Sequence, residues 1–337
     1  MTKRVILSLI ICLAVLSSIS CKKKNKSEKT RALFPVRQDE KWGYIDKTGK
    51  IVINPQFDEA LEFSEGLAPV RIGKKYGFID ETGKVVINPQ FDGAWEFSEG
   101  LAGVMIGRDD HTKYGYINKT GEFVFKQQFD QAGNFQEGLI PVKIGGKNGY
   151  VDKTGEMVIN PQFDFAGGFS EGLALVLIGD KRGYIDKTGK IVIDPQFDFA
   201  LDFSEGLAPV LIGNKRGYID KTGKIAINPQ FDIVLPFSEG LAPVMIGRFI
   251  DGKWGYIDKT GEMVINQQFD MADGFSEGLA PVKIGGKYGY IDRTGKVVIH
   301  PQFDFAVPFS KGLAKVKIAE KWCYIDKSGQ YVWKPTK

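Results

Sequence analysis

The stretch Lys287–Asp304 reads Lys-Tyr-Gly-Tyr-Ile-Asp-Arg-Thr-Gly-Lys-Val-Val-Ile-His-Pro-Gln-Phe-Asp. Versions of it begin at Lys41, Lys75, Lys113, Lys147, Lys181, Lys215, Lys253 and, truncated, Lys321. A phrase that returns at a period in the tens of residues marks a repeat architecture. The spacing is mostly 34 residues, and two units are four residues longer. Their additions, Arg108-Asp-Asp-His-Thr and Arg248-Phe-Ile-Asp-Gly, fall in the same hairpin, as insertions into a solvent-facing loop do. The units that follow share Gln127-Gln128 with Gln267-Gln268 and Gly145-Gly146 with Gly285-Gly286, each pair 140 residues apart, which points to a duplicated block.

One unit, Leu279 to Gly312, shows what the repeat must fold into. Leu-Ala-Pro-Val-Lys-Ile, Tyr288-Gly-Tyr-Ile-Asp and Val297-Val-Ile are short apolar runs separated by glycine-containing turns, the pattern of antiparallel strands joined by hairpins. In the turn Asp-Arg-Thr-Gly-Lys the Asp accepts backbone N–H groups ahead of it and Gly supplies a positive φ. His300-Pro301 is expected to stop the third strand, because proline has no N–H for a ladder. The segment from Phe303 to Gly312 reads as a loop with one helical turn, anchored in the core by Phe. In the first strand Val70, Val104, Val142, Val176, Val210, Val244, Val282 and Val316 are each followed two positions on by Ile, with a variable residue such as Arg71, Met105 or Lys143 between. That alternation predicts Val and Ile inside and the variable residue outside. The third strand, apolar on both faces, reads as covered on both sides.

Three short strands cannot shield such surface alone, so neighbouring units must stack. The expectation is an all-β tandem array of nine three-stranded antiparallel units over residues 32–337, forming an open, solenoid-like superhelix. The third strand of the last unit is complete and no strand is left over to close a ring by exchange. A closed β-propeller is the alternative, whose blades normally have four strands.

Hydrophobic residues make up 43% of the 337 and charged ones 26%, enough apolar material for a sizeable core. Of the 45 Lys and Arg, two lie at Lys3 and Arg4 and six between Lys22 and Arg31 with one Glu, leaving 37 basic against 40 acidic residues from Ala32 onward. A repeat body so near neutrality argues against nucleic acid as partner. Residues 1–20 have a charged start, an apolar run from Val5 to Leu16 and a small-residue stretch before Cys21, a secretory signal pattern. The apolar run of about twelve residues is too short to span a bilayer. A cysteine at the expected cleavage point, followed by a basic tether over residues 21–31, resembles bacterial lipoprotein signals, in which that cysteine is acylated. The usual Leu three residues before the cysteine is replaced by Ser18, with Leu16 two earlier, a relaxation known among spirochaete lipoproteins. The resemblance implies an exported chain, lipidated on Cys21 and anchored to the cell envelope, at the outer membrane. Cys12 leaves with the leader and only Cys323 remains, so there is no disulfide framework. Cys323 takes the place that is Gly in the eight other copies, a local substitution in the terminal unit.

Lys-Trp-Gly-Tyr-Ile-Asp with Thr-Gly-Lys and Asn-Pro-Gln-Phe-Asp resembles the WG repeat, also called KWG, over residues 32–337. The resemblance implies all-β repeats, often exported, that mediate interactions and share no catalytic residues. Trp itself stands only at positions 42, 254 and 322 of the motif.

Chemistry is not suggested. Asp46, Asp80, Asp152, Asp186, Asp220, Asp258, Asp292 and Asp326 come once per unit, but no calcium-loop pattern surrounds them, and Asn118 keeps the turn without a charge. Turn-capping accounts for them better than metal binding. His111 and His300 have no triad or metal setting, and neither a nucleophile elbow nor a phosphate loop is present. The expectation is therefore no enzyme, no cofactor and no metal. The variable position before the motif glycine is the candidate contact site: Trp42, Tyr76, Tyr114, Asn148, Arg182, Arg216, Trp254, Tyr288 and Trp322. Aligned on one surface they form an aromatic ladder with a polar, basic middle, suited to a protein partner or, alternatively, to envelope or host glycan. Packing on the neighbouring unit is the competing account. A second variable strip holds Glu59, Gly93, Gln131, Phe165, Phe199, Ile233, Met271 and Phe305. The chain is expected to be a monomeric interaction scaffold.

Overall fold

The computed structural model describes residues 31–107, 112–248 and 251–335. The leader, Cys21, the tether up to Thr30 and much of both insertions lie outside the described residues. Among those described, the chain is all β, as nine small antiparallel sheets. Seven have four strands and two have three.

The first two sheets define the plan. Strands β1 (Leu33–Gln38), β2 (Lys41–Asp46) and β3 (Ile51–Phe57) form a meander. The chain then makes β4 (Glu59–Ala60), a two-residue strand that pairs with the strand after it, β5 (Leu67–Ile72), followed by β6 (Lys75–Asp80) and β7 (Val85–Phe91), giving the order β4-β5-β6-β7. The connecting segment therefore supplies an edge strand rather than the helical turn expected from its sequence. Between β4 and β5, Ser64 and Leu67 exchange both backbone hydrogen bonds around Glu65 and Gly66, which have φ of 53° and 87°. Two consecutive positive φ values make the tight hairpin turn that follows the natural twist of strands.

Each Asp turn forms as its sequence dictates. Asp46 Oδ1 accepts from the Thr48 backbone N–H at 2.9 Å, the Thr48 hydroxyl at 2.6 Å and the Lys50 N–H at 3.2 Å. Asn118 does the same through its amide oxygen. The proline does not stop the third strand. In the six complete copies that carry it the strand runs through the proline to the following Phe, with a register shift where the chain kinks, and the copies with Gln127 and Gln267 in its place do the same. That kink explains the motif glycine. A Cβ on Gly43 would lie 2.6 Å from Pro55 N and 2.8 Å from the Asn54 carbonyl carbon. In the last sheet only Tyr324 and Ile325 pair with the third strand, so the kink does not cross over Cys323.

Burial departs from simple alternation. The first-strand Val is buried, as expected, but the Ile two residues on is exposed at Ile72, Ile144, Ile178, Ile212 and Ile246, because it stands at the hairpin end beyond the neighbouring sheet. Met245, expected outside, is buried. Third strands are not covered on both faces: Ile87, Ile159 and Ile193 are buried while the preceding Val86, Val158 and Val192, on the other face, are exposed. This is what an outermost strand shows.

The main correction concerns closure. The sheets are the blades of a ring, a nine-bladed β-propeller, and the open solenoid is wrong. Core clusters bridge every successive pair; Tyr44 of the first blade packs with Phe63, Ala68, Val70 and Ile79 of the second. The last blade (Phe305–Ala306, Ala314–Ile318, Lys321–Ile325, Tyr331–Trp333) packs on the first in the same manner. Phe34, Val36 and Ile45 share a cluster with Leu313 and Tyr324. Tyr324 donates its hydroxyl to the Pro35 carbonyl at 3.1 Å. The ring thus closes through packed side chains, with no exchanged strand, and repeat faces that fit blade to blade also fit across the seam.

Candidate functional site

The edge strands and the turns after them form the inner rim, where neighbouring blades come close enough to bond directly. Ser64 Oγ donates to the Phe97 carbonyl at 2.6 Å, and the Gly100 N–H donates to Glu65 Oε2 at 3.0 Å. Lys119 then reaches Glu65 at 3.3 Å. The same Ser, Glu and Lys contacts recur around the rim, for example Ser204 to Phe237, Gly206 to Glu171 and Lys221 to Glu171. This side of the ring is a repeated frame.

On the opposite side, at the hairpins between first and second strands, Asp58 joins two blades. Its Oδ1 pairs with Lys41 at 2.6 Å and its Oδ2 accepts the Gly73 N–H at 2.6 Å. The lysine and the backbone N–H hold its carboxyl below the ordinary aspartate range. Asp304 does the same with Lys287 and the Ala319 N–H. The once-per-unit aspartates are thus occupied with the fold itself. Among the described residues, no group of three or more acidic, His or Cys side chains is arranged to hold a metal.

The variable residues lie beside this second network. Cross-strand pairing puts Glu59, Arg71, Tyr76 and Phe91 in one row facing the next blade. The two strips found in the sequence are therefore one band. In three blades the residue at the edge-strand position meets the ladder residue of its own blade, Glu59 with Tyr76, Phe199 with Arg216 and Phe305 with Trp322, and in two of them also that of the blade before. Phe199 has the Arg182 guanidinium 5.9 Å and the Arg216 guanidinium 5.1 Å from its ring centre. Phe305 has Tyr288 at 5.6 Å on one side and Trp322 at 5.8 Å on the other. Lys315 continues the band over the seam, 4.8 Å from Trp322 and 5.8 Å from Trp42. Burial pushes its ammonium below the ordinary lysine range, opposed by Glu62.

The nine ladder residues do not behave alike. Trp42, Tyr76, Tyr114, Asn148, Arg182, Arg216 and Tyr288 are half-buried, Trp322 is exposed and Trp254 is buried at 6% against Met245. Tyr76 donates to Glu59, which also pairs with Arg71 at 2.8 Å. Arg182 and Arg216 donate to the carbonyls of Asp198 and Asp232, and Asn148 to that of Asp164 at 3.1 Å. Packing on the neighbouring blade and partial exposure therefore coexist at most of these positions. Sequence reading missed Trp95, which stands outside both strips yet is 37% exposed with its ring 5.8 Å from that of Tyr114. The signal was available, since most other blades have an aliphatic residue or glycine there.

The WG containing repeat matches residues 42–76, 76–108, 114–147, 149–181, 183–215, 217–248, 254–288 and 288–322. The chain belongs to the WG-repeat family. Eight matched spans run from one ladder position, or its glycine, towards the next, which is why eight WG repeats make nine blades. No curated protein matches the chain. Solved structures similar to this WG propeller include the extracellular domain of a Bacteroides thetaiotaomicron protein described as a hybrid two-component system, at 13% identity and a TM-score of 0.30. That match covers 93% of this chain and 51% of the other, so the WG propeller spans about half its length. Hsv2 of Kluyveromyces lactis, with a loop replaced by a Gly-Ser linker, is similar at 11% identity and a TM-score of 0.40, covering 68% of this chain and 86% of that one. A quinoprotein alcohol dehydrogenase-like protein of B. thetaiotaomicron is similar at 13% identity and 0.38, covering 83% of each chain. At these scores they say nothing of what the WG propeller binds.

Proposed function

We propose that this WG propeller is a non-enzymatic scaffold whose variable band is a protein-contact surface, held at the cell envelope by lipid on Cys21. The observation that carries the contact role is the division of the ring into two sides. The Ser-Glu-Gly turns repeat nearly unchanged and are consumed in blade-to-blade bonds, whereas the band changes residue from blade to blade and stays partly open. Its arc from Tyr288 through Phe305 and Trp322 to Trp42 combines aromatic faces with the cation of Lys315, and its arc from Arg182 to Arg216 is basic. Aromatic and arginine side chains in half-closed settings are the residue types that dominate protein interfaces. The anchor rests on the leader and on Cys21 in the sequence.

Two experiments test this reading. The full chain, with Phe305→Ala/Trp322→Ala and Arg182→Ala/Arg216→Ala as paired variants, is used to capture partners from envelope extracts. Specific partners held by the parent and lost from a variant that melts at the parent temperature support a contact band; capture indifferent to both pairs contradicts it. Metabolic labelling with a radioactive fatty acid should mark the parent and not Cys21→Ser, and an unlabelled parent would remove the anchor.

A further inference from the structure

Between the third and fourth blades lies a cavity of about 280 Å³ lined by Trp95, Gly103, Tyr114, Gly115, Tyr116, Gln131, Gly133 and Asn134. Three local departures from the repeat create it. Gly103 stands where six other blades have proline, at positions 35, 69, 141, 209, 243 and 281. Gly133 stands where Leu61, Leu201 and Leu235 fill the same corner in other blades. Trp95, itself at that corner one blade earlier, turns its indole to the space instead. The floor is firmly held: Tyr116, buried at 2%, donates its hydroxyl to the Gly133 carbonyl, and the Gly133 N–H donates to the Pro141 carbonyl at 3.0 Å. A Cβ on Gly133 would come within 2.7 Å of the Pro141 ring, whereas one on Gly103 would meet only Trp95 and Tyr116 at 3.5 and 3.6 Å.

We infer that this cavity binds a single neutral pyranose ring of a glycan. The lining carries no charged side chain, which disfavours an ionic ligand that would have to leave water without a counter-charge. Trp95 and Tyr114, with an interplanar angle of 36°, form a tilted aromatic wall of the kind that receives the C–H face of a sugar. Gln131 and Asn134 each offer a carbonyl acceptor and an NH2 donor, a match for neighbouring hydroxyl groups that both donate and accept. The volume, about 280 Å³, is just under the roughly 300 Å³ at which drug-sized ligand cavities begin, which suits one ring rather than a longer segment. The cavity borders the protein-contact band, since Tyr114 and Gln131 belong to both, but the paired variants above lie in other blades and leave its lining unchanged, so the two readings can fail separately.

The test is saturation-transfer NMR on the full chain with methyl glucoside, chitotriose and sialyllactose as probes. Expected is saturable binding of a neutral probe, with transfer strongest to one ring. Trp95→Ala removes the stacking wall. Gly103→Pro restores the residue six blades already carry and fills the space without foreign geometry. Each should weaken binding at least about tenfold, a change of about 1.4 kcal/mol, while the melting temperature moves by no more than about 2 °C. The proposal is overturned if the parent binds no neutral probe saturably, if charged sialyllactose is preferred, or if both folded variants bind as the parent does.

Discussion

One phenol per blade ties eight of the nine blades to the segment that follows. Tyr44, Tyr150, Tyr184, Tyr218, Tyr256 and Tyr290 each donate to a main-chain carbonyl 17 residues on at 2.6–2.9 Å, Tyr116 makes the same bond, and Tyr324 makes it to Pro35 across the seam. Burial pushes all eight hydroxyls well above the ordinary tyrosine value of 10. The unfolded chain therefore releases these protons first as pH rises, and stability that is whole below about pH 10 is lost above it, by about 1.4 kcal/mol per pH unit for each tyrosine. A melting curve followed against pH should be flat to about pH 9.5 and fall steeply above about pH 10, and a gradual decline from neutrality would contradict the buried-phenol account. The turn aspartates act at the other end of the scale. Hydrogen bonds led by the Thr48 hydroxyl hold Asp46 down at about 2. Its contribution is present above the unfolded value of about 3.9 and is lost as pH falls towards 2. Because Asn118 already occupies one such turn, Asp220→Asn should fold with its turn intact and remove that turn's share of the acid sensitivity. Asp220→Ala should lower the melting temperature at neutral pH as well.

Elements in this chain are held by two backbone demands that differ in how plainly the sequence declares them. The motif glycine is needed because the third strand kinks over the second, and Gly217 would put a Cβ 2.8 Å from Pro229 N and 3.0 Å from the Asn228 carbonyl carbon. Gly217→Ala should cost about 3 kcal/mol, the upper range for forcing atoms into a packed site. Cys323→Ala should cost under about 1 kcal/mol, because the last third strand does not pair beyond Tyr324 and Ile325. Equal losses in urea unfolding would refute the kink explanation. The strands and Asp turns were legible because glycine, aspartate and β-branched residues state their local geometry outright. The edge strand was not, since Glu59-Ala60 and its copies have no strand pattern of their own and pair only once the next strand is present. Nor was the exposure of Ile72 legible, because alternation reports which face a side chain is on and not whether a neighbour reaches that far along. The ladder positions could be named from their variability, but the burial of Trp254 and the cavity beside Trp95 depend on residues far away in sequence.

At the scale of the whole molecule, closure turns an array into a ring with two unlike sides, and the functional reading depends on that division. Each repeat predicts contact with its neighbours, but the angle between blades decides whether nine of them spiral or meet, and that angle is the sum of many small packing choices. The absence of a leftover strand argued for an open end; Phe34, Val36, Leu313 and Tyr324 show that apolar packing and one hydrogen bond are enough. Tyr324→Phe should remove about 1 kcal/mol, as a single neutral hydrogen bond does, and leave the ring closed. Closure itself is tested most directly by zero-length carbodiimide cross-linking with mass spectrometry, on mixed light and isotopically heavy protein to separate intramolecular from intermolecular links. Lys119–Glu65 and Lys327–Glu277, at 3.3 and 3.1 Å, are formed between nearby blades in any stack and serve as controls. Lys311 lies 3.7 Å from Glu62 across the seam. An intramolecular Lys311–Glu62 link beside the controls is the result expected of the ring. Controls that form while that link is missing, or arises only between molecules, would mean that the ends do not meet.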